Sequence, residues 1–156
     1  MNVSGKKAVV FGGTSGIGLA TVEKLVAGGA SVVAVSRSAS KASALPAGAS
    51  FEACDVTDGD AVSALLSKLA PFDILVSSAT GGDRALGPFL EMDMAGYKAS
   101  FDKLWGYANV VRFGAAHVAD GGSITLVSGA PARNCRPGQI ALSSVGGAVE
   151  AMVRAV

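Results

Sequence analysis

The sequence predicts an α/β fold in which a doubly wound parallel sheet of about five strands carries helices on both faces. Two observations indicate this class. Short β-branched runs alternate along the chain with longer segments of helical period. The runs also contain too few polar positions for strands with one face in water, so each strand is expected to be buried on both faces. The 156 residues fit a single domain.

The first half of the chain contains four predicted strands and two predicted helices. In the second helix four apolar residues share one face, and Thr57 with Asp60 is predicted to cap its N-terminus. In chain order the segments are strand 7–11, helix 16–27, strand 31–35, strand 50–54, helix 58–69 and strand 73–77.

The second half is predicted to contain a long helix from Met94 to Val118. Apolar residues recur there at alternating steps of four and three, beginning at Tyr97, which places them on one stripe. A fifth strand is predicted at 123–127, and a last helix from Ile140 to the end of the chain. Ligands of such folds bind at the carboxyl ends of the strands, near the point where strand order reverses.

Charge and composition exclude several classes of protein. Lys and Arg number 13 against 12 Asp and Glu, a balance that favours neither a nucleic-acid partner nor a membrane surface. The N-terminus has no apolar run typical of a signal peptide. The two cysteines, Cys54 and Cys135, form no disulfide framework, and no metal-ligand spacing is present. We therefore expect a cytoplasmic protein without a metal.

A glycine-rich turn joins the first strand to the first helix, Gly12-Gly13-Thr14-Ser15-Gly16-Ile17-Gly18. Gly12 permits a tight turn, Gly16 lets the backbone approach a pyrophosphate, and Gly18 lets the helix pack close to the sheet. The helix N-terminus adds unpaired N–H groups and a partial positive charge. Because the turn lies within a βαβ unit, we interpret it as a Rossmann-type dinucleotide site. The alternative is a glycine-rich turn without a ligand.

The end of the second strand distinguishes between the two nicotinamide cofactors. An NAD site places Asp or Glu about 20 residues after the glycines to hold the ribose 2′-hydroxyl, but no acid stands between Glu23 and Glu52. The sequence instead has Ser36, Arg37 and Ser38, which offer a guanidinium and two hydroxyls to a 2′-phosphate. We therefore predict NADP(H). The alternative for Arg37 is a solvated surface side chain.

With these residues the chain resembles the short-chain dehydrogenase/reductase family over nearly its whole length. Residues 54–58 (CDVTD) resemble the acidic motif after the third strand. The resemblance implies that Asp55, with Val56 beside it, supports the adenine ring. Residues 122–128 (GSITLVS) resemble the fifth strand, and Pro137-Gly138 resembles the start of the next helix.

The segment after the fourth strand departs mildly from the family. Ser77, Ser78 and Ala79, followed by Thr80, stand where the family has Asn-Asn-Ala-Gly. The resemblance implies that these three residues contribute to the cofactor site. The bracing between strands that the family's Asn provides is expected to be absent.

The family's catalytic residues are not found at their usual positions. The family uses a Tyr and, four residues later, a Lys on the last helix, a Ser after the fifth strand and an Asn on the long helix. Four other residues stand at these positions here, in the same order: Leu142, Gly146, Gly129 and Lys103. Leucine and glycine can neither donate a proton nor hold the nicotinamide ribose, so the usual mechanism is not available. Residues 101–106 (FDKLWG) resemble a divergent branch that also lacks the Tyr and Lys.

Two residues are candidates for the missing chemistry. Lys103, half-buried near the nicotinamide end, would donate the proton; the alternative is a solvated helix lysine paired with Asp102 or Asp93. Ser128 would orient a carbonyl; the alternative is an ordinary serine at a strand end. The single histidine, His117, is expected to lie far from the carboxyl ends of the strands.

The resemblance also bears on chain length and assembly. Family members continue beyond the point corresponding to Val156 with further strands, a helix and a loop that covers the substrate. The domain is therefore expected either to be incomplete at its C-terminus or to have the edge of its fifth strand covered by a partner chain. In the family the long helix and the last helix build a dimer interface, so we expect a homo-oligomer through 94–118 and the last helix.

Three functional hypotheses remain open from the sequence. The first is an NADP(H)-dependent oxidoreductase that acts on a carbonyl or alcohol by hydride transfer with non-standard catalytic residues. The second is a regulatory or scaffold protein that binds the nucleotide without turnover. The third is an inactive fragment with a remnant site.

Overall fold

The computed structural model describes residues 2–156 and contains five strands and six α-helices in that range. Three short 3₁₀ turns lie at Ala39–Ala44, Phe89–Glu91 and Ala115–His117. In chain order the elements are β1 (Lys7–Phe11), α1 (Gly16–Ala27), β2 (Ser31–Ser36), β3 (Ala49–Ala53), α2 (Gly59–Leu69), β4 (Phe72–Ser77), α3 (Met94–Ala99), α4 (Asp102–Gly114), β5 (Val118–Leu126), α5 (Pro131–Asn134) and α6 (Ile140–Ala155).

The five strands form one parallel sheet in the order β3-β2-β1-β4-β5. Residues of β1 alternate between its two faces, as the two-residue period of a strand requires. Val9 and Phe11 pack with α2 and α4, whereas Ala8 and Val10 pack with α1. The predicted doubly wound α/β class is thereby confirmed. Strand order reverses between β1 and β4, and the carboxyl ends of these two strands are where a ligand is expected.

The predicted cap of α2 is wrong. Asp58, not Thr57, is the N-cap, and its Oδ1 accepts a hydrogen bond from the Ala61 amide at 3.0 Å. Thr57 donates its amide and its hydroxyl to Asp55 Oδ1, at 2.9 and 2.8 Å. Because Asp55 closes this turn, Thr57 is not available to the helix.

The predicted helix 94–118 is wrong as a single element. It divides into α3 and α4, and Val118 already belongs to β5. The two helices are separated by Ser100 and Phe101. The Ser100 hydroxyl donates to the Gly96 carbonyl one turn earlier at 2.9 Å. This bond competes with regular helix geometry. The homo-oligomer expected through this segment stays a prediction.

The buried face of α4 also differs from the predicted stripe. The residues of α4 that face the core are Gly106, Tyr107, Val110 and Gly114. A Cβ at Gly106 would lie 2.6 Å from Val56 Cγ2, so the missing side chain is what brings the helix close to the core. The prediction considered only large apolar side chains and so ignored the glycines. It therefore selected a face of the helix that is only half-buried.

Strand β5 begins five residues earlier than predicted, at Val118. Val118 pairs with Phe72 and Ser123 with Ile74, so a bulge separates the two pairings. Helix α5 was not predicted from the sequence; it packs against α6 after the end of β5. No helix within residues 2–156 has both the length and the apolar character needed to cross a membrane.

Candidate functional site

The main cleft, of about 510 Å³, lies at the carboxyl ends of β1, β2 and β4. This is the point where the strand order reverses. The structure brings all the predicted cofactor residues except Asp55 and Ser77 to its wall: Gly12, Thr14, Ser15, Gly16, Ile17, Gly18, Ser36, Arg37, Ser38, Val56, Ser78 and Ala79.

The glycines of the turn differ in what surrounds them. A Cβ at Gly12 would lie 2.7 Å from the Ala79 amide nitrogen, and one at Gly18 would overlap the Gly12 carbonyl oxygen. Both positions therefore exclude every other residue. Gly16 has φ +51°, and no protein atom lies within 4 Å of its Cβ position. Its bare backbone faces the open cleft.

The first turn of α1 presents free hydrogen-bond donors to the cleft. Leu19 is the first amide that bonds back along the helix, to the Ser15 carbonyl at 3.1 Å. The Ser15 side chain caps none of the preceding amides, and the first turn contains no acid. Unpaired amides and the positive end of a helix dipole form an anion site. The turn therefore fits the pyrophosphate of a dinucleotide.

The far end of the cleft, beyond β2, carries Arg37 and three serines. Arg37 is exposed. The Ser36 hydroxyl donates to the Ser38 carbonyl at 3.0 Å, whereas the Ser38 hydroxyl contacts the Ser40 hydroxyl at 3.1 Å. Sequence reasoning missed Ser40, which lines the cleft from the 3₁₀ turn; no spacing rule marks it. The Arg37 guanidinium, together with the hydroxyls of Ser38 and Ser40, fits a phosphate group at this end of the cleft.

Asp55 is held beside the cleft and not in its wall. Burial acts to raise the pKa of Asp55, but the two hydrogen bonds from Thr57 and the nearby Arg37 guanidinium outweigh burial and lower the pKa below its usual value. The neighbouring Cys54 lines the cleft. Burial, with Asp58 and Asp55 nearby, raises the pKa of the Cys54 thiol to about 11. The thiol is therefore inert at neutral pH.

The two serines at the end of β4 have different roles. Ser77 is fully buried, and its hydroxyl has no partner among residues 2–156. The Ser78 hydroxyl donates to the Phe11 carbonyl at 3.1 Å. Ser78 therefore adds a side-chain hydrogen bond between the end of β4 and β1, although the Asn that the resemblance would place here is absent.

A second, smaller cavity of about 110 Å³ adjoins the cleft. Arg84 lines both spaces, and Val127 in the cleft wall precedes Ser128 in the cavity wall. The four residues that the resemblance aligns with the family's catalytic positions all line this cavity: Lys103, Gly129, Leu142 and Gly146. The cavity is therefore a candidate site for chemistry.

Lys103 projects from the first turn of α4 into this cavity and is half-buried. Its Nζ lies 5.3 Å from the centre of the Tyr107 ring, within reach of a cation–π interaction. Pairing with Asp102 or Asp93 is not observed within residues 2–156, and Asp93 instead caps α3 through the Ala95 and Gly96 amides. Burial lowers the pKa of Lys103, and the Arg84 charge lowers it further.

Ser128, the two tyrosines and His117 have other contacts or positions. The Ser128 hydroxyl lines the cavity and donates to the Gly146 carbonyl at 3.3 Å. The Tyr107 hydroxyl donates to the Val127 carbonyl at 2.9 Å, and burial raises the pKa of Tyr107, so it remains protonated. Tyr97 donates to the Ser144 hydroxyl at 3.0 Å. His117 lies just before β5, at the amino ends of the strands and therefore on the side of the sheet away from the cleft.

Helix α5 packs closely against Gly146, the residue that the resemblance aligns with the family's lysine. A Cβ at Gly146 would lie 2.8 Å from the Ala132 Cβ of helix α5. A larger side chain at this position would therefore have to displace α5.

We expect Gly146→Lys to destabilise the protein by about 1–3 kcal/mol, because the new side chain must displace α5. Urea unfolding measures the change. Gly147→Lys is the matched control, because no atom lies within 4 Å of its Cβ position and leaving glycine favours a helix by about 0.5–1 kcal/mol. Equal stability of the two variants would contradict this packing.

A family model described as short chain dehydrogenase matches residues 6–156. The chain belongs to the short-chain dehydrogenase family. L-xylulose reductase of Mesocricetus auratus is 36% identical over 105 residues, which are 65% of this chain and 42% of that protein. Carbonyl reductase [NADPH] 2 of Sus scrofa is 30% identical over 163 aligned residues, covering 100% of this chain and 66% of that protein.

Solved structures agree with this membership. A short chain dehydrogenase from Burkholderia cenocepacia in complex with NADP superposes with a TM-score of 0.87 at 25% identity. The match covers 99% of this chain and 66% of the other. The present chain thus spans about two-fifths to two-thirds of the length of these relatives. The family consists of oxidoreductases that use NAD(P)(H).

Proposed function

We propose that the protein is an NADP(H)-dependent oxidoreductase that interconverts a carbonyl compound and its alcohol, with Lys103 as the proton donor. One observation carries the proposal: the dinucleotide cleft and the cavity that holds Lys103 adjoin, and Arg84 lines both. The names of two relatives, an NADPH carbonyl reductase and an NADP-bound dehydrogenase, support the choice of cofactor.

The residues of the cleft would hold the cofactor at two places. The amides of Gly16 and Gly18 would bind the pyrophosphate, and Arg37 with the Ser38 hydroxyl would bind the 2′-phosphate. A reduced nicotinamide supplies a hydride when bound. The chain itself must then position the carbonyl and provide the proton.

Lys103 fits the role of proton donor at the carbonyl oxygen. Its side chain lines the cavity, and the lowered pKa makes it a stronger acid than an exposed lysine. General acids work best when their pKa lies near the working pH. Ser128 contributes a hydroxyl oxygen to the same wall, with its proton directed to Gly146.

The proposal is tested by NADPH oxidation with a panel of small aldehydes and ketones. Turnover of at least one compound is expected. An alternative function, nucleotide binding without turnover, is favoured by Leu142 and Gly146, which remove the usual acid and its lysine. NADPH binding with no oxidation on any compound of the panel would support that alternative over catalysis.

We expect Arg37→Ala to weaken NADPH binding by about tenfold, a modest loss because the side chain is exposed to solvent. NADH affinity should not change, since NADH has no 2′-phosphate. Calorimetric titration of both cofactors measures the difference. Arg154→Ala is the control, an exposed arginine at the end of α6. Equal losses for NADPH and NADH would contradict the role assigned to Arg37.

A further inference from the structure

Two cations share the wall of the small cavity. Lys103 enters from α4, and Arg84 enters from the segment between β4 and α3. They are close enough for the charge of Arg84 to lower the pKa of Lys103. Like charges that face one cavity repel each other, so an anion between them would stabilise both.

The backbone beside Arg84 is fixed on both sides. The Ala85 amide donates to the Ser100 hydroxyl at 2.9 Å, and that hydroxyl, on a residue only 3% exposed, donates to the Gly96 carbonyl. On the other side, a Cβ at Gly81 would lie 2.7 Å from the Asp102 carbonyl carbon, so the two backbones are in close contact. Arg84 thus extends from a segment anchored to the junction of α3 and α4.

Within residues 2–156 no carboxylate pairs with either cation. The ion pairs among the side chains that the structure describes join Lys6 to Asp73, Lys68 to Glu52 and Arg133 to Glu150. The nearest acids along the chain, Asp83 and Asp102, do not line the cavity. The Asp102 carboxylate lies instead against Gly82.

The rest of the cavity wall is small and mostly apolar. Pro131, Ala141, Leu142 and Val145 form it, together with two glycines and two serines, Ser100 and Ser128. A volume of about 110 Å³ lies well below the roughly 300–1,000 Å³ of sites for drug-sized ligands. The cavity therefore fits a short aliphatic body with one charged end.

We propose that the substrate is a small aliphatic oxo acid whose carboxylate binds Arg84 while its carbonyl oxygen faces Lys103. This inference rests on the proposed function and names its substrate class. In the reduction, the hydride of NADPH bonds to the carbonyl carbon, the C=O π pair becomes the new O–H bond with a proton from Lys103 Nζ, and the neutral amine regains a proton from water. The products are the hydroxy acid and NADP⁺.

The bound carboxylate would also change the charge state of Lys103. Its negative charge offsets the repulsion between Arg84 and Lys103, which favours the protonated form of Lys103. The substrate would therefore help to keep its own proton donor charged. A neutral ketone of the same shape lacks this effect.

The test compares a four-carbon 2-oxo acid with its methyl ester on the whole chain. Binding is measured by calorimetry in excess NADP⁺, which cannot reduce either compound, so no turnover is required. We expect the acid to bind about 10- to 100-fold more tightly than the ester, the size of one charge-assisted hydrogen bond. Arg84→Gln should remove this preference, and Arg112→Gln, an exposed arginine on α4, should keep it.

The outcomes separate the two proposals. Equal binding of acid and ester, binding of neither, or a preference that survives Arg84→Gln overturns the oxo-acid inference. Tighter binding of a phosphorylated ketone of similar size also overturns it. Carboxylate-selective binding that depends on Arg84, without NADPH oxidation, supports the carboxylate site at Arg84 while contradicting the oxidoreductase. NADPH oxidation with neutral carbonyls alone supports the oxidoreductase and contradicts the oxo-acid inference.

Discussion

Replacing Lys103 with Met lowers kcat for carbonyl reduction by about 100-fold or more, the usual contribution of a general acid, without a matching loss of NADPH affinity. Methionine keeps most of the side-chain volume but loses the cation that lies over the Tyr107 ring and has no proton to give. Steady-state kinetics on the best substrate of the carbonyl panel measures the loss. The effect should fall on kcat, because Lys103 acts on the charge that develops during the reaction.

The pH dependence identifies the group more directly. Reduction requires protonated Lys103, so the wild-type rate falls as pH rises through the pKa of Lys103, which burial and Arg84 lower from 10.5. Without the Arg84 charge, as in Arg84→Gln, that decline moves to higher pH. Lys98→Met, on the exposed side of α3, should leave both rate and profile unchanged. An unaltered alkaline decline in Lys103→Met would contradict the assignment.

Gly18→Ala has the second large effect, on nucleotide binding. The new methyl group would overlap the Gly12 carbonyl oxygen and would lie 2.5 Å from the Ser78 hydroxyl. Either α1 or the turn must therefore move, and both shape the pyrophosphate site. We expect a loss of NADPH affinity of about 100-fold and a destabilisation of about 1–3 kcal/mol.

Thermal unfolding with and without NADPH separates the two effects of Gly18→Ala. The wild type should gain stability from NADPH by mass action, whereas the variant should gain almost none at the same concentration. Gly147→Ala is the matched control, a helical glycine with no atom within 4 Å of its Cβ position. A variant at position 18 that NADPH stabilises as much as the wild type would contradict the role of the close packing.

The sequence predicts features that depend on residues close together in the chain and misses features that depend on tertiary contacts. Strand β1 and helix α1 have the predicted bounds, because the glycine turn between them is a local signal. The buried face of α4 was wrong for a tertiary reason: Gly106 and Gly114 bring α4 against Val56 and Leu75, and no apolar pattern contains that information. The bond from the Ser78 hydroxyl to the Phe11 carbonyl likewise depends on where β1 and β4 lie in the fold.

The residues of the candidate site also fall into those that the sequence predicts and those that it misses. Residues of the glycine turn and the end of β2 were placed from motif position, and they line one cleft. Arg84 was missed, since it belongs to an irregular segment and acts only through contact with α3 and α4. The family resemblance did place Lys103, Leu142 and Gly146 around one cavity. It could not indicate that α5 packs against the position of the usual lysine.

Calorimetric titration of the purified 156-residue chain with NADPH, and with NADH as the control, tests the central claim most directly. The open backbone at Gly16, the free amides of α1 and the Arg37 guanidinium predict stoichiometric binding of NADPH and much weaker binding of NADH. Equal affinity for both would contradict the NADP(H) assignment. Binding of neither would contradict the dinucleotide site itself and, with it, the proposed oxidoreductase.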